Sequence, residues 1–439
     1  MACPATTRLT CAALAALLWA TGAQAQQSLQ VPVQFDFLNP SARSLALGGA
    51  FVGLADDATA SLVNPAGLIA LSRKEISLEG RYRRFTQPYL VGGRLSGAVT
   101  GKGQDTVAGP VYDDIVDRGV GASFASFVYP RGKLRVAVFR HELIRVDQDF
   151  ASNGVFQNRA GVENRDGGVT ASRTLDIDSY GAAMAYQTPH VWLGAGVMAQ
   201  RFSLGFELDR FVQRNEITDP PDPTARVFHF SQTGDDTALG AVAGVVVPLP
   251  KAKIGLAYKR GARFDFSSTA TPLFFSNGPT TSTATFKVPD TLALGVSALT
   301  LNDSLLFTGE YTRVFHSQLR SQYVEALAAP GESADRVANF TIDDANEVHV
   351  GTEYILPVAL HPGIRAGFWF DPDHSVRFAP TAANDFLDER LVAMLSSGRN
   401  LWHYTFGGML AVHPEVDLSA AVDHSSRSTL VSASIIVHF

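Results

Sequence analysis

Cysteine is nearly absent from this sequence and is confined to its beginning. The 439 residues include only Cys3 and Cys11. Both fall within Met1–Ala25, which has the pattern of a secretory signal peptide: Arg8 precedes an apolar stretch, and Ala23-Gln24-Ala25 forms a small-x-small cleavage site. We therefore predict export, and a mature chain that has no cysteine and depends on no disulfide.

Long apolar runs are also missing. After residue 25 no stretch approaches the roughly 18 apolar residues that a transmembrane helix needs. The chain is nevertheless 46% hydrophobic, contains 38 glycines and has only 18% charged residues. A closed β-barrel fits both observations, because it is the only β architecture that spans a bilayer without an unpaired edge. The net charge of −6 gives no reason to expect a nucleic-acid partner.

The motifs of hydrolases and metal sites are absent as well. The sequence contains no G-x-S-x-G element around a nucleophilic serine. The pairs His141-Glu142 and Asp371-Pro372-Asp373-His374 lack a third ligand at the spacing of a metal site. We expect no catalytic residue, no metal and no cofactor.

What the sequence does contain is strict alternation at its carboxyl terminus. Apolar residues occupy every second position up to a terminal phenylalanine: Val416, Leu418, Ala420, Val422, then Val431, Ala433, Ile435, Val437 and Phe439. One apolar face and a terminal aromatic residue are typical of the closing strands of a bacterial outer-membrane barrel. Phe439 would engage the barrel assembly machinery.

The same alternation predicts fourteen strands from residue 75 onward. Their centres lie at 76–82, 121–129, 134–146, 174–187, 191–208, 237–247, 254–258, 292–296, 305–311, 348–354, 364–370, 402–412 and the closing pair. Connections near 131, 189, 250, 302, 359 and 414 are tight. Those at 87–118, 147–173, 209–236, 269–289, 317–343 and 373–401 are long. Short turns at one rim and long loops at the other match the periplasmic and extracellular ends of a barrel. A soluble β-sandwich also alternates but explains neither this asymmetry nor the signal peptide.

Residues 26–74 do not have a strand pattern. Asp57 or Thr59 would cap a short helix over 58–62, and Asn64-Pro65 would end it, since proline disfavours helical geometry in the residue before it. A segment this short does not fold alone with ease. The predicted organisation is a signal peptide at 1–25, a plug at 26–74 and a transmembrane barrel at 75–439.

The stretch from Gly48 to Arg73, GGAFVGLADDATASLVNPAGLIALSR, resembles the FadL/TodX family of outer-membrane transporters of long-chain fatty acids and other hydrophobic compounds. Softer similarities follow at 254–261, 288–297, 348–354 and 364–375. The resemblance implies a monomeric, fourteen-stranded all-β barrel whose amino-terminal hatch blocks the lumen and shifts to release an apolar ligand. The residues that match or adjoin its hatch motif are Asp56, Asp57, Asn64, Pro65, Ala66 and Gly67. Gly67 departs from the best-known members.

Transport of this kind is driven by desolvation, at about 0.8 kcal/mol per buried methylene. The candidate ligand-binding residues are Phe35, Phe37, Phe51, Leu54 and Leu62, for which packing of the plug against the wall is an equal alternative. Arg81, Arg83, Arg135 and Arg365 would either bind a carboxylate or form ion pairs inside the barrel. The predicted function is passive uptake of hydrophobic compounds across the outer membrane, with lipid and lipopolysaccharide as surroundings. The alternative is a scaffold or secretion-associated barrel of the same fold.

Overall fold

The computed structural model describes residues 37, 39–159, 162–165, 168–211, 222, 224–273, 278–300, 302–320, 339–380, 386–396 and 398–439. The predicted signal peptide and Phe35 lie outside these residues.

Fourteen strands form the wall of a barrel. In chain order they are β1 (Glu75–Arg94), β2 (Gly109–Arg131), β3 (Leu134–Ser152), β4 (Val169–Gln187), β5 (Trp192–Phe211), β6 (Arg226–Pro248), β7 (Ala252–Arg260 and Arg263–Pro272), β8 (Thr280–Lys287 and Thr291–Thr300), β9 (Leu305–Val314), β10 (Ala345–Ile355), β11 (Gly363–Asp371), β12 (Leu401–His413), β13 (Val416–His424) and β14 (Ser428–His438). Short strands Phe156–Arg159 and Val162–Arg165 form a hairpin in the connection after β3, and Phe340–Thr341 pairs with Arg377–Phe378.

Every wall strand pairs with its sequence neighbours in antiparallel order, and β14 returns to pair with β1. The closing register runs from Glu75 opposite His438 to Phe85 opposite Ser428. The predicted fold class, a fourteen-stranded antiparallel barrel, is confirmed.

The first eight strands are longer than predicted. The connection predicted at 87–118 is mostly strand, because β1 runs to Arg94 and β2 already begins at Gly109. The connections predicted at 147–173, 209–236 and 269–289 are shortened in the same way. These extensions carry polar residues on their outer face, so the hydrophobic alternation that identified the strands stops before the ladders do.

The outer face of the wall is an apolar belt. On β14 the exposed side chains are Val431, Ala433, Ile435 and Phe439, as the alternation predicted, and β12 exposes Trp402, Tyr404, Phe406, Leu410 and Val412. Most strands contribute two or more large apolar side chains to this belt. In the described part of the chain, no helix is long and apolar enough to cross a bilayer.

The amino-terminal segment, residues 39–71, lies inside the wall and is almost entirely buried. It contains helix α1 (Ala42–Ala46), helix α2 (Ala60–Val63) and a 3-10 turn (Pro65–Ala70). The helix predicted at 58–62 begins two residues later, and its N-cap, Thr59, makes no side-chain cap bond. Asn64 ends α2 as predicted, and its side chain also caps the following turn by accepting from the Ala66 N–H.

Candidate functional site

Seven wall glycines let the amino-terminal segment reach the backbone of the barrel. A Cβ at Gly244 would overlap the Asn64 Oδ1, one at Gly194 the Ala66 nitrogen, and one at Gly255 the Val52 carbonyl. The full set is Gly194, Gly244, Gly255, Gly295, Gly351, Gly367 and Gly407, on β5, β6, β7, β8, β10, β11 and β12. We call this level of the barrel, with the segment in it, the lower lumen.

Polar side chains of the wall satisfy the backbone of the segment. Glu310 accepts from both the Phe51 and Val52 N–H groups at 2.7 Å. Hydroxyl groups serve the carbonyls: Thr308 donates to Ala50 at 2.8 Å and Thr405 to Ala46 at 2.9 Å. Buried backbone groups that lacked these partners would each cost about 1–3 kcal/mol. The wall is therefore shaped and polarised to hold this segment.

The Asn64-Pro65-Ala66 motif sits against β5 and β6. Asn64 is fully buried and donates to the Val52 carbonyl at 2.9 Å and to the Val245 carbonyl of the wall at 3.3 Å. Gly67 has a structural reason, since a Cβ there would overlap Ala55 of the same segment. The motif joins two turns of the segment to the wall.

The acidic pair has two different environments. Asp56 forms an ion pair with Arg43 at 2.6 Å, and Arg43 also pairs with Glu353 of β10 at 2.8 Å. Asp57 is buried and accepts from the Thr59 N–H at 2.9 Å and from the Ser41 hydroxyl at 3.1 Å. Burial, with further contributions from the charges of Glu75 and Asp56, raises the pKa of Asp57 to about 6.

The apolar candidates divide into two groups. Phe51, Leu54 and Leu62 are at most 3% exposed and pack with wall residues in one cluster, the arrangement that the packing alternative predicted. Phe37 instead lies higher, with its ring 6.0 Å from the ring of His316. It borders a cavity whose apolar lining includes Val52, Val63 and Ala293 and whose polar lining includes Lys259 and Glu310.

The inward arginines have protein partners. Arg365 pairs with Glu353 at 2.5 Å, as the ion-pair alternative predicted. Arg135 donates to the Leu71 carbonyl at 2.6 Å and Arg81 to the Asn39 carbonyl at 3.0 Å, so both hold the segment.

Above the segment the lumen is apolar. We call this level the upper lumen: a cluster in which buried wall residues of β1, β3, β4, β5, β7 and β8 meet residues of the long connections, such as Leu319 and Leu391. At its centre Phe202 stacks on Phe264, with ring centroids 4.9 Å apart, and on Phe286 at 5.4 Å. Phe37 packs against the edge of this cluster.

The two residue pairs considered as possible metal or catalytic sites, around His141 and His374, lie in different parts of the barrel. His141 is buried in the wall, and His374 contacts Asp371 at 3.3 Å and stacks on His316 at 4.0 Å. Asp371 is the main cause that raises the pKa of His374 to about 9, against the effect of burial. Within the described ranges no three His, Cys, Asp or Glu residues are grouped as a metal site would require.

The wall is open between β2 and β3. Their ladder ends at Phe124 opposite His141, although both strands continue. A bulge at Leu143 turns β3 away from β2 and toward the inward side of β1, where Gln148 donates to Gln87 at 3.1 Å. A cavity at this gap is lined by Leu143, Ile144 and Val146, which also belong to the upper-lumen cluster. Ion pairs cross the gap: Arg83 of β1 lies 3.6 Å from Asp117 of β2 and 3.5 Å from Glu142 of β3.

The sequence analysis identified the Asn64 motif but not the residues of the wall against which the segment packs. We call the seven wall glycines the glycine seats of the segment. The seven wall glycines and Glu310 were not singled out, although each glycine occupies an inward position between outward apolar residues. Recurrent inward glycine in strand after strand was the signal that pointed to a backbone lying against the wall.

An apolar belt, a cylinder of strands that closes between β14 and β1, and a buried internal segment define the class of protein: an outer-membrane β-barrel whose lumen is filled at one level. The chain matches no protein-family model and no curated protein sequence. Solved structures do share its fold.

A FadL homologue from Pseudomonas aeruginosa superposes with a TM-score of 0.61 at 14% identity, covering 93% of this chain and 100% of that one. The toluene transporter TodX of P. putida gives 0.55 at 14% identity, covering 92% and 99%. The toluene transporter TbuX of Ralstonia pickettii gives 0.51 at 17% identity, covering 91% and 98%. At these identities the likeness establishes the fold, and the fourteen-stranded barrel that the resemblance implied is confirmed.

Proposed function

We propose that the protein is an outer-membrane channel for passive uptake of hydrophobic small molecules, with the amino-terminal segment as its hatch. The observation that carries this proposal is the apolar upper lumen. A water-filled porin has a polar interior, whereas this one buries stacked phenylalanines. A ligand that leaves water for such surroundings gains about 0.8 kcal/mol per buried methylene.

The order of the parts supports a path. Apolar residues extend from the long connections to Phe37 and to the gap between β2 and β3. Below that level the hatch occupies the bore, so a ligand either exits through the gap or waits for the hatch to move. The similarity to a FadL homologue and to two toluene transporters favours a hydrophobic cargo.

The cargo class is a hydrophobic compound, with long-chain fatty acids and hydrocarbons as the two candidates. The proposal includes no bond making or breaking, and it assigns no catalytic residue. Asp56, Asp57, Asn64, Pro65, Ala66 and Gly67 would shape the hatch, and Phe37 would contact the cargo.

The test compares uptake of a fluorescent hydrophobic tracer by cells with and without the protein. We expect faster uptake with it, and we expect simultaneous replacement of Asn64 and Pro65 by alanine to slow uptake while heat-modifiable migration shows a folded barrel. Equal uptake in both strains would contradict the channel and favour the scaffold alternative. Release of fatty acid from phospholipid would favour an enzyme instead.

A further inference from the structure

An unusual pair of arginines lies on the outer face of the barrel. Arg84 of β1 and Arg118 of β2 are directly opposite in the antiparallel register. Both occupy outward positions of their strands. Like charges directly opposite one another on a sheet are destabilising. Within the described part of the chain, no hydrogen bond or ion pair joins either guanidinium to a carboxylate.

These arginines stand at the upper border of the apolar belt. The row across β13, β14, β1 and β2 that contains them reads His424, Thr429, Arg84, Arg118. The outward row beneath it reads Val422, Val431, Tyr82, Val120, and Val120 is 78% exposed. The pair therefore lies where hydrocarbon gives way to the polar headgroups, on the long-loop side.

A band of small residues follows below. The next outward row reads Ala420, Ala433, Gly80, Ala122, and all four are exposed. Since no long side chain projects from this row, it forms a shallow depression across four strands, in which an acyl chain can lie close to the backbone.

Further charged groups lie at the turn beside Thr86, two residues beyond Arg84. The Arg427 carbonyl in the tight turn between β13 and β14 accepts from the Thr86 N–H of β1 at 2.7 Å. Arg399 reaches the same turn and donates to the Ser426 hydroxyl at 2.8 Å. Burial and the charge of Arg399 lower the pKa of Arg427, while Asp373 and Asp114 act in the opposite direction. Asp373 is itself paired with Arg377 at 2.8 Å.

Several other arginines near this border have a carboxylate partner that neutralises their charge. Arg201 of β5 lies 3.6 Å from Asp235, and Arg313 of β9 lies 2.9 Å from Asp344. Arg140 of β3 pairs with Asp178. Arg84 and Arg118 differ from these three arginines in two ways: in the described part of the chain they have no carboxylate partner, and they lie directly opposite each other.

We propose that this outer face of β13, β14, β1 and β2 binds a phosphorylated glycolipid of the outer leaflet, with a phosphate held between Arg84 and Arg118. Two guanidinium forks offer bidentate donors to one phosphate. An anion there would turn a repulsive pair into an attractive one. The acyl chains would occupy the band of small residues below. The inference rests on the outer-membrane location but not on transport.

The test measures retention of bisphosphorylated lipid A by the full-length folded protein in detergent, using native mass spectrometry. The R84Q/R118Q double variant should retain about tenfold less than the unaltered protein, because charge-assisted hydrogen bonds are lost. The matched R201Q/R313Q variant, which removes two arginines that already have partners, should retain as much as the unaltered protein. Heat-modifiable migration and uptake of the hydrophobic tracer should be preserved in both variants. If the double variant does not fold, R84Q and R118Q singly should each lower retention about threefold.

Competition experiments with other lipids and with free phosphate distinguish the possible sources of the bound phosphate group. Dephosphorylated lipid A, phosphatidylglycerol and inorganic phosphate should each compete poorly with bisphosphorylated lipid A. Equal retention by R84Q/R118Q and R201Q/R313Q would overturn the site. So would equal binding of phosphatidylglycerol, or displacement of the lipid by millimolar inorganic phosphate, because either result would reveal only general attraction of anions. Loss of tracer uptake with retention intact would count against the channel and leave the lipid site standing.

Discussion

The lower and upper lumen solve opposite problems with the same wall. In the lower lumen the strands present glycines, hydroxyls and carboxylates, because a polypeptide backbone lies against them and needs close approach and hydrogen-bond partners. In the upper lumen the same inward positions carry phenylalanine, leucine and isoleucine. The comparison teaches that the lower level fits one particular occupant, whereas the upper level presents a general apolar lining.

The largest effect on the position of the amino-terminal segment is expected when one of the glycine seats is replaced by a residue with a large side chain. Gly244→Leu would place a side chain where Asn64 now lies, so the segment must leave its position. Overpacking of 1–3 kcal/mol or more corresponds to a rise of roughly a hundredfold in the open population. Ion conductance of the protein in planar bilayers measures this opening.

Gly309→Leu is the matched control for that experiment. Gly309 faces outward in the belt, and a Cβ there meets its nearest atoms at 3.9 Å. It should conduct like the unaltered protein. If Gly244→Leu and Gly309→Leu both conducted as little as the unaltered protein, the glycine seats would not be what holds the segment in position.

A smaller effect is expected at the motif itself. Asn64→Ala removes two donated bonds and one accepted bond, leaving the Val52 and Val245 carbonyls and the Ala66 N–H without that partner. An expected loss of about 1–3 kcal/mol would raise protease cleavage within 39–71 about tenfold. Asn346→Ala at the outer rim, where Asn346 accepts from Tyr311, should leave cleavage unchanged. If Asn64→Ala and Asn346→Ala were cleaved at the same rate, the hydrogen bonds of Asn64 would not stabilise the segment.

The upper lumen should respond in uptake rather than in hatch stability. Phe264 is fully buried in the upper lumen and stacks on Phe202, and Phe264→Gln places an amide in the apolar cluster. We expect hydrophobic tracer uptake to fall about fivefold, since apolar contact area is lost. Leu273→Gln at the rim, where Leu273 is 42% exposed, is the control. If Leu273→Gln lowered uptake by the same factor, uptake would not depend specifically on the apolar cluster of the upper lumen.

The smallest effect is a pH dependence. The pKa of Asp57 is raised mainly by burial, from 3.8 to about 6, so the folded segment binds this proton more tightly than the unfolded chain does. Its contribution to stability is therefore complete below about pH 4 and is lost as the pH rises through 6. Protease cleavage of 39–71 should be about twofold slower at pH 6 than at pH 7.5. Asp57→Asn should remove that difference, and faster cleavage at pH 6 than at pH 7.5 would contradict the expected direction.

Much of the barrel could be predicted from the sequence because a half-buried strand repeats every two residues. Val431 to Phe439 and Trp402 to Val412 face outward as that rule requires. The rule does not locate the ends of strands whose outer face is polar, which is why β2 was expected near residue 121 and begins at Gly109.

The site was harder to predict for a different reason. The Asn64 motif was found through resemblance, but its partner Gly244 lies 180 residues further along the chain. Such contacts depend on strand register and on where the segment enters the barrel, and neither is written in a local pattern. The charged residues show the same limit. An ion pair inside the barrel was one of the two alternatives predicted for Arg365, whereas the two hydrogen bonds that Glu310 accepts were not predicted.

One asymmetry in the wall has a mechanical consequence. The glycine seats occur on β5 to β8 and on β10 to β12, and none of the seven belongs to β1, β2 or β3, where the ladder is interrupted. A body clamped along one arc of a cylinder and bonded only through flexible side chains along the opposite arc tends to pivot rather than slide. The edge of the segment that faces β1, β2 and β3 would then move most, next to the gap between β2 and β3. A single tilt would therefore widen this lateral gap before it opened the bore along the barrel axis.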